Sequence, residues 1–274
     1  MQTENTAILN KTYQKLILQV SQTEVSFSIF DSLRNRIEHL QLISFGKIIT
    51  PSEIELKLID IFENSPYFSK KFDDVLVLHN NNLLTFVPHV LFDEAYMSSY
   101  LQYNTKVFES DFFTNDVVSN YEINTVYIPY VNINNFLIDR FGGFNYKHSF
   151  TYLVKKVLDF SKNIDETEMY IHVQDYNFQI IVAKNQQLVL FNSFEYKTDE
   201  DFIYYILFTT EQLNLNPETV KLKLFGNINK ESNLYAIAYK YIRNVSLFLD
   251  HNVLENGISQ QDYLKHFILI HTCE

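Results

Sequence analysis

The sequence predicts an α/β protein made of two similar halves, and two observations carry that prediction. A β-hairpin, a third strand and a capped helix follow one another near the start of the chain. The same order returns past its middle, with the hairpins 153 residues apart (Leu18 to Ile171, Val25 to Phe178). Between and after these units, β-branched runs alternate with amphipathic helical stretches, the pattern of mixed sheets flanked by helices. A supersecondary unit that recurs half a chain later means duplication, and we expect two domains, residues 1–148 and 149–274.

In the first half, Leu16 to Val20 and Val25 to Ile29 alternate with period two about the polar break Ser21 to Glu24, which predicts a tight hairpin. A third strand is expected over Ile37 to Phe45. Thr50-Pro51-Ser52-Glu53 combines an N-cap hydroxyl, a proline at the first helical position and a glutamate three after the cap, so a helix starts there. Ile54, Leu58, Ile61 and Phe62 form its buried stripe. Strands follow at Asp74 to Leu78 and Thr125 to Val131, helices at Asp93 to Tyr103 and Asn132 to Phe141. Gly142-Gly143 ends the last of these and opens an expected hinge, Phe144 to Ser149, before a helix over Phe150 to Phe160.

In the second half, Tyr170 to Val173 and Phe178 to Val182 form the hairpin about Gln174 to Asn177, and Leu188 to Phe194 is the third strand. Thr198 caps a helix whose first turn, Asp199-Glu200-Asp201, places acids at the positive end of the helix dipole. Phe202, Ile203, Ile206, Leu207 and Leu213 are its expected core positions. Tyr204, Tyr205 and Phe208 fall between them, so this helix is apolar nearly all round and should be covered on both sides. A strand over Val220 to Phe225 and a helix over Glu231 to Ile242 follow.

Composition excludes several function classes. In 274 residues, 46% hydrophobic and 20% charged, there is no wholesale disorder. Thirty-three acids against 22 lysines and arginines give a net charge of -11, which opposes nucleic-acid binding. The single cysteine, Cys273, allows neither an internal disulfide nor a cysteine-type metal site, and it predicts an intracellular, cytoplasmic protein. Met1 to Thr12 lacks the pattern of a signal peptide, and no apolar run approaches the ~18 residues of a membrane span. Five glycines leave almost none for phosphate-cradling loops.

His172-Val173-Gln174, the run from Phe194 to Tyr205, Glu211 to Asn214 and Leu224-Phe225-Gly226-Asn227 resemble a bacterial family known only as a domain of unknown function. That family has an actin-like ATPase fold, the fold of actin, sugar kinases and heat-shock ATPases. The resemblance implies two duplicated actin-like, ribonuclease H-like domains, each a mixed sheet opening with a hairpin and a third strand. In ATP-using relatives one hairpin turn from each domain wraps the phosphates, through glycines that let backbone N–H groups approach. The corresponding turns, Ser21-Gln22-Thr23-Glu24 and Gln174-Asp175-Tyr176-Asn177, have no glycine. A carboxylate near the end of each first strand positions Mg²⁺ or water in those relatives. Gln19 and His172 stand there, and neither suits magnesium. Glu24 and Asp175 add negative charge, and like charges at ~4 Å cost about 4 kcal/mol at an effective dielectric of ~20. Gly226 is the remnant of the adenosine motif. The implied nucleotide cleft is degenerate, and any ligand it holds would meet Gln19, Ser21, Gln22, Thr23, His172, Gln174, Asp175, Gly226 and Asn227.

Other constellations read as structural. His266 and His271, five apart, do not share a helical face as a zinc pair needs, and His79 and His89 have no third ligand beside them. His172 as a base with Asp175 is weighed against a strand-end histidine held by a backbone partner. Asp73-Asp74 and Asp93-Glu94 fit turn and capping roles rather than a two-carboxylate hydrolase. We therefore expect no cofactor, no metal and no catalysis, and a function through a protein partner or self-association. The alternative is a nucleotide- or small-molecule-binding switch or enzyme that uses the interdomain cleft.

Overall fold

A computed structural model describes residues 11–255 and 257–273, so most of the polar lead Met1 to Thr12 lies outside the described residues. The chain forms two compact units. The first takes the described residues up to Val117, Ile123–Thr151 and those from Thr272, and the second takes Val118–Glu122 and Tyr152–His271.

In the first unit, β1 (Gln14–Val20) and β2 (Glu24–Asp31) form an antiparallel hairpin in which Val20 faces Val25. Strand β3 (Arg36–Ser44) adds to β2. Helix α1 (Pro51–Asn64) starts in a complete capping box between Thr50 and Glu53, and it buries Ile54, Leu58, Ile61 and Phe62. Strand β4 (Asp74–His79) then returns parallel to β1. The next segment was expected as a helix over Asp93 to Tyr103 and a strand from Thr125. It carries β5 (Leu84–Pro88), a short helix α2 (Met97–Leu101) within the expected helical stretch, β6 (Thr114–Val118) and β7 (Ile123–Tyr127), which overlaps the start of the expected strand. The three strands make a separate sheet, ordered β5-β7-β6, over a small core of Val87, Leu101, Val126 and Ile128. Asp93 caps only a 3₁₀ turn, Glu94–Tyr96, ahead of α2.

Helix α3 (Val131–Phe141) ends at Gly142, whose φ of 78° lets its N–H reach Ile138 O. The expected hinge after it is a correction. Asn145–His148 is strand β8, parallel to β4, and it closes the order β3-β2-β1-β4-β8. Its polar, four-residue sequence reads as a linker, yet the His148 N–H donates to Asp116 Oδ2 and so ties the strand down. Side chains of β1, β2 and β4 pack with α1 and α3 into one core, with Phe62 and Phe68 in close ring contact at 4.3 Å. Helix α4 (Ser149–Phe160) follows.

The second unit repeats the plan. Strands β9 (Glu168–Val173), β10 (Asn177–Lys184) and β11 (Gln187–Glu195), helix α5 (Asp199–Gln212), strand β12 (Lys221–Gly226), helix α6 (Asn233–Tyr241) and strand β13 (Asn244–Leu247) give the order β11-β10-β9-β12-β13. Short helices α7 (His251–Glu255), α8 (Gln260–Lys265) and α9 (Phe267–Thr272) finish the chain. The repetition extends to detail. Val173 faces Phe178 as Val20 faces Val25, and the sheet bulges at Val182/Ala183 as at Ile29/Phe30, again 153 residues apart. Both capped helices have 14 residues and a capping box, Thr50 with Glu53 and Thr198 with Asp201. One cross-strand pair keeps its place and reverses its charges. Lys15 faces Asp74 between β1 and β4, and Glu168 faces Lys221 between β9 and β12.

Helix α5 departs from the expected burial on one side. Phe202, Ile203 and Ile206 are buried, Tyr205 stacks on Phe194 at 4.4 Å, and Leu207 and Leu213 are only half-buried. Thr209 and Thr210 are buried instead, and Thr210 Oγ1 donates to Ile206 O, which satisfies its hydroxyl inside the helix. Tyr204 and Phe208 are 60% and 44% exposed, stacked on one another at i and i+4.

Two substitutions test this placement. Thr198→Ala removes one N-terminal hydrogen bond and should lower stability by about 1 kcal/mol. Ile206→Ala opens a cavity and should cost about 2–5 kcal/mol. Urea midpoints measure both, and an Ile206→Ala midpoint equal to wild type would show that α5 presents another face to the core.

Candidate functional site

In α/β sheets, ligands collect at the carboxyl ends of the parallel strands, and the residues singled out in the sequence lie there, in two groups. In the first unit the turn after β1 is closed by its own side chains. Ser21 Oγ accepts from the backbone N–H groups of Thr23 (3.2 Å) and Glu24 (3.0 Å), and the Ser21 N–H donates to Glu24 O. The following loop holds the turn from outside: the Ile49 N–H donates to Gln22 O, the Gln22 side-chain amide donates to Ile49 O at 3.2 Å, and the Phe45 N–H donates to Thr23 O. The donors of Thr23 and Glu24, of the kind that would cradle a phosphate, are therefore already used.

Beside this turn lies a row of buried polar side chains. Gln19, near the end of β1, is 7% exposed. Asn80, just past β4, is 4% exposed, and Ser149, just past β8, is fully buried. The registers Gln19 with Leu78 and His79 with His148 put all three at one edge of neighbouring strands. Gln19 Oε1, Asn80 Nδ2 and Ser149 Oγ have no hydrogen-bond partner, and together with His266 Nδ1 they are the only such buried atoms among the described residues. Orphaned buried polar atoms at functional edges point to groups that complete them, water or a ligand. Asn80 and Ser149 escape a sequence reading because nothing local marks them. They become a set only through the pairing of β1, β4 and β8.

In the second unit, Gln174 to Asn177 makes the equivalent turn, with the Gln174 N–H donating to Asn177 O and Tyr196 OH donating to Gln174 O. Asn227 clamps it by donating from its amide to Asp175 Oδ1 at 2.6 Å. His172 lies in β9, the strand that leads into this turn. Its Nδ1–H donates to Gln179 Oε1 at 2.8 Å, and the Gln179 amide in turn donates to Asn177 and Ser193. That partner is a side chain of the next strand. Burial holds the His172 pKa down to about 4, so the ring is neutral near pH 7. Burial also pushes the Tyr196 hydroxyl up to about 12, and Asp175 and Asp199 add to that shift, which marks a negative potential at this turn.

Gly226 has a structural reason of its own. It faces Val173 across the β9/β12 pair at φ 91°, and an added Cβ would lie 2.1 Å from Val173 O. His79 and His89 each have a partner of their own. His79 bonds to Asn134, His89 donates to Asn124 Oδ1, and among the described residues no group of histidine, cysteine and carboxylates could hold an ion. Asp73 accepts the Thr12 and Tyr13 N–H groups and Asp74 pairs with Lys15, roles that suit turn residues.

The family model described as a protein of unknown function, DUF3822, matches residues 3–245, and the chain belongs to that family. No curated protein matches the sequence significantly. Among solved structures, a Bacteroides thetaiotaomicron protein with actin-like ATPase fold and unknown function superposes with a TM-score of 0.80 at 22% identity, over 97% of this chain and 98% of that one. The PilM–PilN type IV pilus biogenesis complex matches with a TM-score of 0.56 at 8% identity, over 94% and 97%. The ethanolamine utilization protein EutJ from Carboxydothermus hydrogenoformans gives 0.50 at 6%, over 85% and 84%. The fold is the actin-like ATPase fold. No helix among the described residues is long and apolar enough to cross a membrane.

Two measurements follow. Gly226→Ala should destabilise the protein by more than about 2 kcal/mol, since both φ and space oppose a side chain, and a melting temperature equal to wild type would refute this. Burial lowers His79, His172 and His266 to about 4 and His148 to about 3, from an ordinary 6.5. Because these folded-state values lie below the unfolded one, their contribution is whole above about pH 6.5. It declines as pH falls toward 4, by up to about 1.4 kcal/mol per pH unit for each ring. Urea midpoints should drop from pH 7 to pH 5, and His172→Gln should flatten that drop.

Proposed function

We propose that this protein is a non-catalytic, cytoplasmic member of the actin-like fold, a pseudo-ATPase that acts through contacts with a protein partner or a second copy of itself. The observation that carries the reading is the first turn, where Ser21 takes the N–H groups of Thr23 and Glu24 that a triphosphate would need. Gln19 and His172 in place of carboxylates, and the negative second turn at Asp175, argue in the same direction. Exposed aromatic side chains suit a binding surface: Tyr204 and Phe208 on α5, and Tyr239 and Tyr241 on α6, which packs beside α5. One protein of like fold was itself solved as a complex, PilM–PilN.

A second reading, a small-molecule sensor without turnover, is favoured by one observation, the unpartnered Gln19, Asn80 and Ser149 atoms. They are neutral donors and acceptors, and they suit an uncharged polar ligand better than a nucleotide.

The purified protein should not hydrolyse ATP with Mg²⁺, and nucleotide should not raise its melting temperature. A ligand at 100 times its Kd would add about 2.7 kcal/mol, so binding would be visible. Turnover, or a reproducible nucleotide-dependent rise, would overturn the reading. Tyr204→Ser with Phe208→Ser should reduce self-association in sedimentation, or capture of the partner, without lowering the melting temperature. Stabilisation by an uncharged polar compound that Gln19→Leu abolishes would favour the sensor.

A further inference from the structure

The duplication also repeats a cavity at the edge opposite the one just described, where the fourth strand of each sheet begins. In the second unit a cavity of about 650 Å³ lies at the start of β12 and β13, lined by Glu166, Lys221, Lys223 and Arg243 among others. In the first unit a cavity of about 390 Å³ lies at the start of β4, lined by Lys70, Lys71, Asp73, Asp74 and Arg140 and by Phe72 and Phe141 among others. Arg140 lies in the last turn of the helix that precedes the outer strand β8, and Arg243 lies just past the helix that precedes β13.

The two cavities differ in how their cations are answered. In the second unit the chain supplies its own carboxylates: Glu166 lies 2.6 Å from Lys221, and Glu168 lies 2.7 Å from Lys223. In the first unit the nearby acids are already occupied, Asp73 by the N–H groups of Thr12 and Tyr13 and Asp74 by Lys15 at 3.5 Å. Among the described residues, Lys70, Lys71 and Arg140 pair with no carboxylate. Arg140 donates one guanidinium N–H to Phe68 O at 3.2 Å, which fixes the group and leaves its other donors available. The three cations share this lining with Asp73 and Asp74 and exceed them by one charge, on a chain of net charge -11, with Phe72 and Phe141 beside them. Such a combination of a few fixed charges and apolar surface, in a cavity of this size, is how small organic acids are bound.

We propose that the first-unit cavity binds a small aromatic carboxylate, its ring against Phe72 and Phe141 and its carboxylate against Arg140, Lys70 and Lys71. The ligand's carboxylate would fill the role that Glu166 and Glu168 fill in the second unit. This site is independent of the nucleotide-type edge and of its loss.

Titration of the full chain with phenylacetate, followed by calorimetry and saturation-transfer NMR, tests the proposal. Saturable binding is expected, weakening as salt is raised, and weakening about tenfold in Arg140→Gln, the loss of one charge-assisted hydrogen bond. Lys71→Gln, at an exposed position, should weaken binding in the same direction with an unchanged melting temperature. Arg243→Gln in the second unit should leave binding intact. Equal binding of phenylacetamide would remove the role of the cations, and equal binding of inorganic phosphate would remove that of the rings. Absence of saturation at millimolar phenylacetate, or an unchanged affinity in both Arg140→Gln and Lys71→Gln, would overturn the site altogether.

Discussion

A hairpin turn has only a few backbone donors to give, and in the first unit those of Thr23 and Glu24 go to the Ser21 hydroxyl. That local closure fixes Val20 opposite Val25, and with it the register of β1 at the centre of its sheet. Since β1 pairs with β2 on one side and β4 on the other, the whole order β3-β2-β1-β4-β8 is referenced to one turn. The same group that stiffens the turn also takes up two of its backbone donors. The register of the sheet and the use of the turn's own donors then have one physical source, the hydroxyl of Ser21.

The architecture was legible where its signals are local. Thr50 with Glu53 and Thr198 announce their helices within four residues. The polar breaks at Ser21 and Gln174 announce the hairpins, and the common spacing of 153 exposes the duplication without any knowledge of contacts. Even the matched bulges at Ile29/Phe30 and Val182/Ala183 obey that spacing, because a bulge travels with its strand when a domain is copied.

What the sequence hid depends on distant partners. Strand β8 is four mostly polar residues after two glycines, and only its parallel pairing with β4 makes it a strand. Strands β5 and β7 lie some forty residues apart, and no short-range turn signal joins them. His172 stood out by position, but its partner Gln179 sits across the strand pair, out of reach of a reading that looks to the nearest acid. The row of Gln19, Asn80 and Ser149 was legible only in its first member. Polarity at a strand end is ordinary, and it becomes informative only when burial and the lack of a partner are both known.

A chain carrying the same sheet twice faces a hazard during folding, in which a strand of one copy docks into the other. The reversed pair described above opposes that mistake. If β1 entered the second sheet in place of β9, Lys15 would face Lys221, and if β9 took the place of β1, Glu168 would face Asp74. Each misassembly sets like charges directly across a strand pair, unfavourable by up to about 1 kcal/mol. The two halves thus carry matching shapes with opposite labels, so that a copied fold tells its own strands from those of its twin.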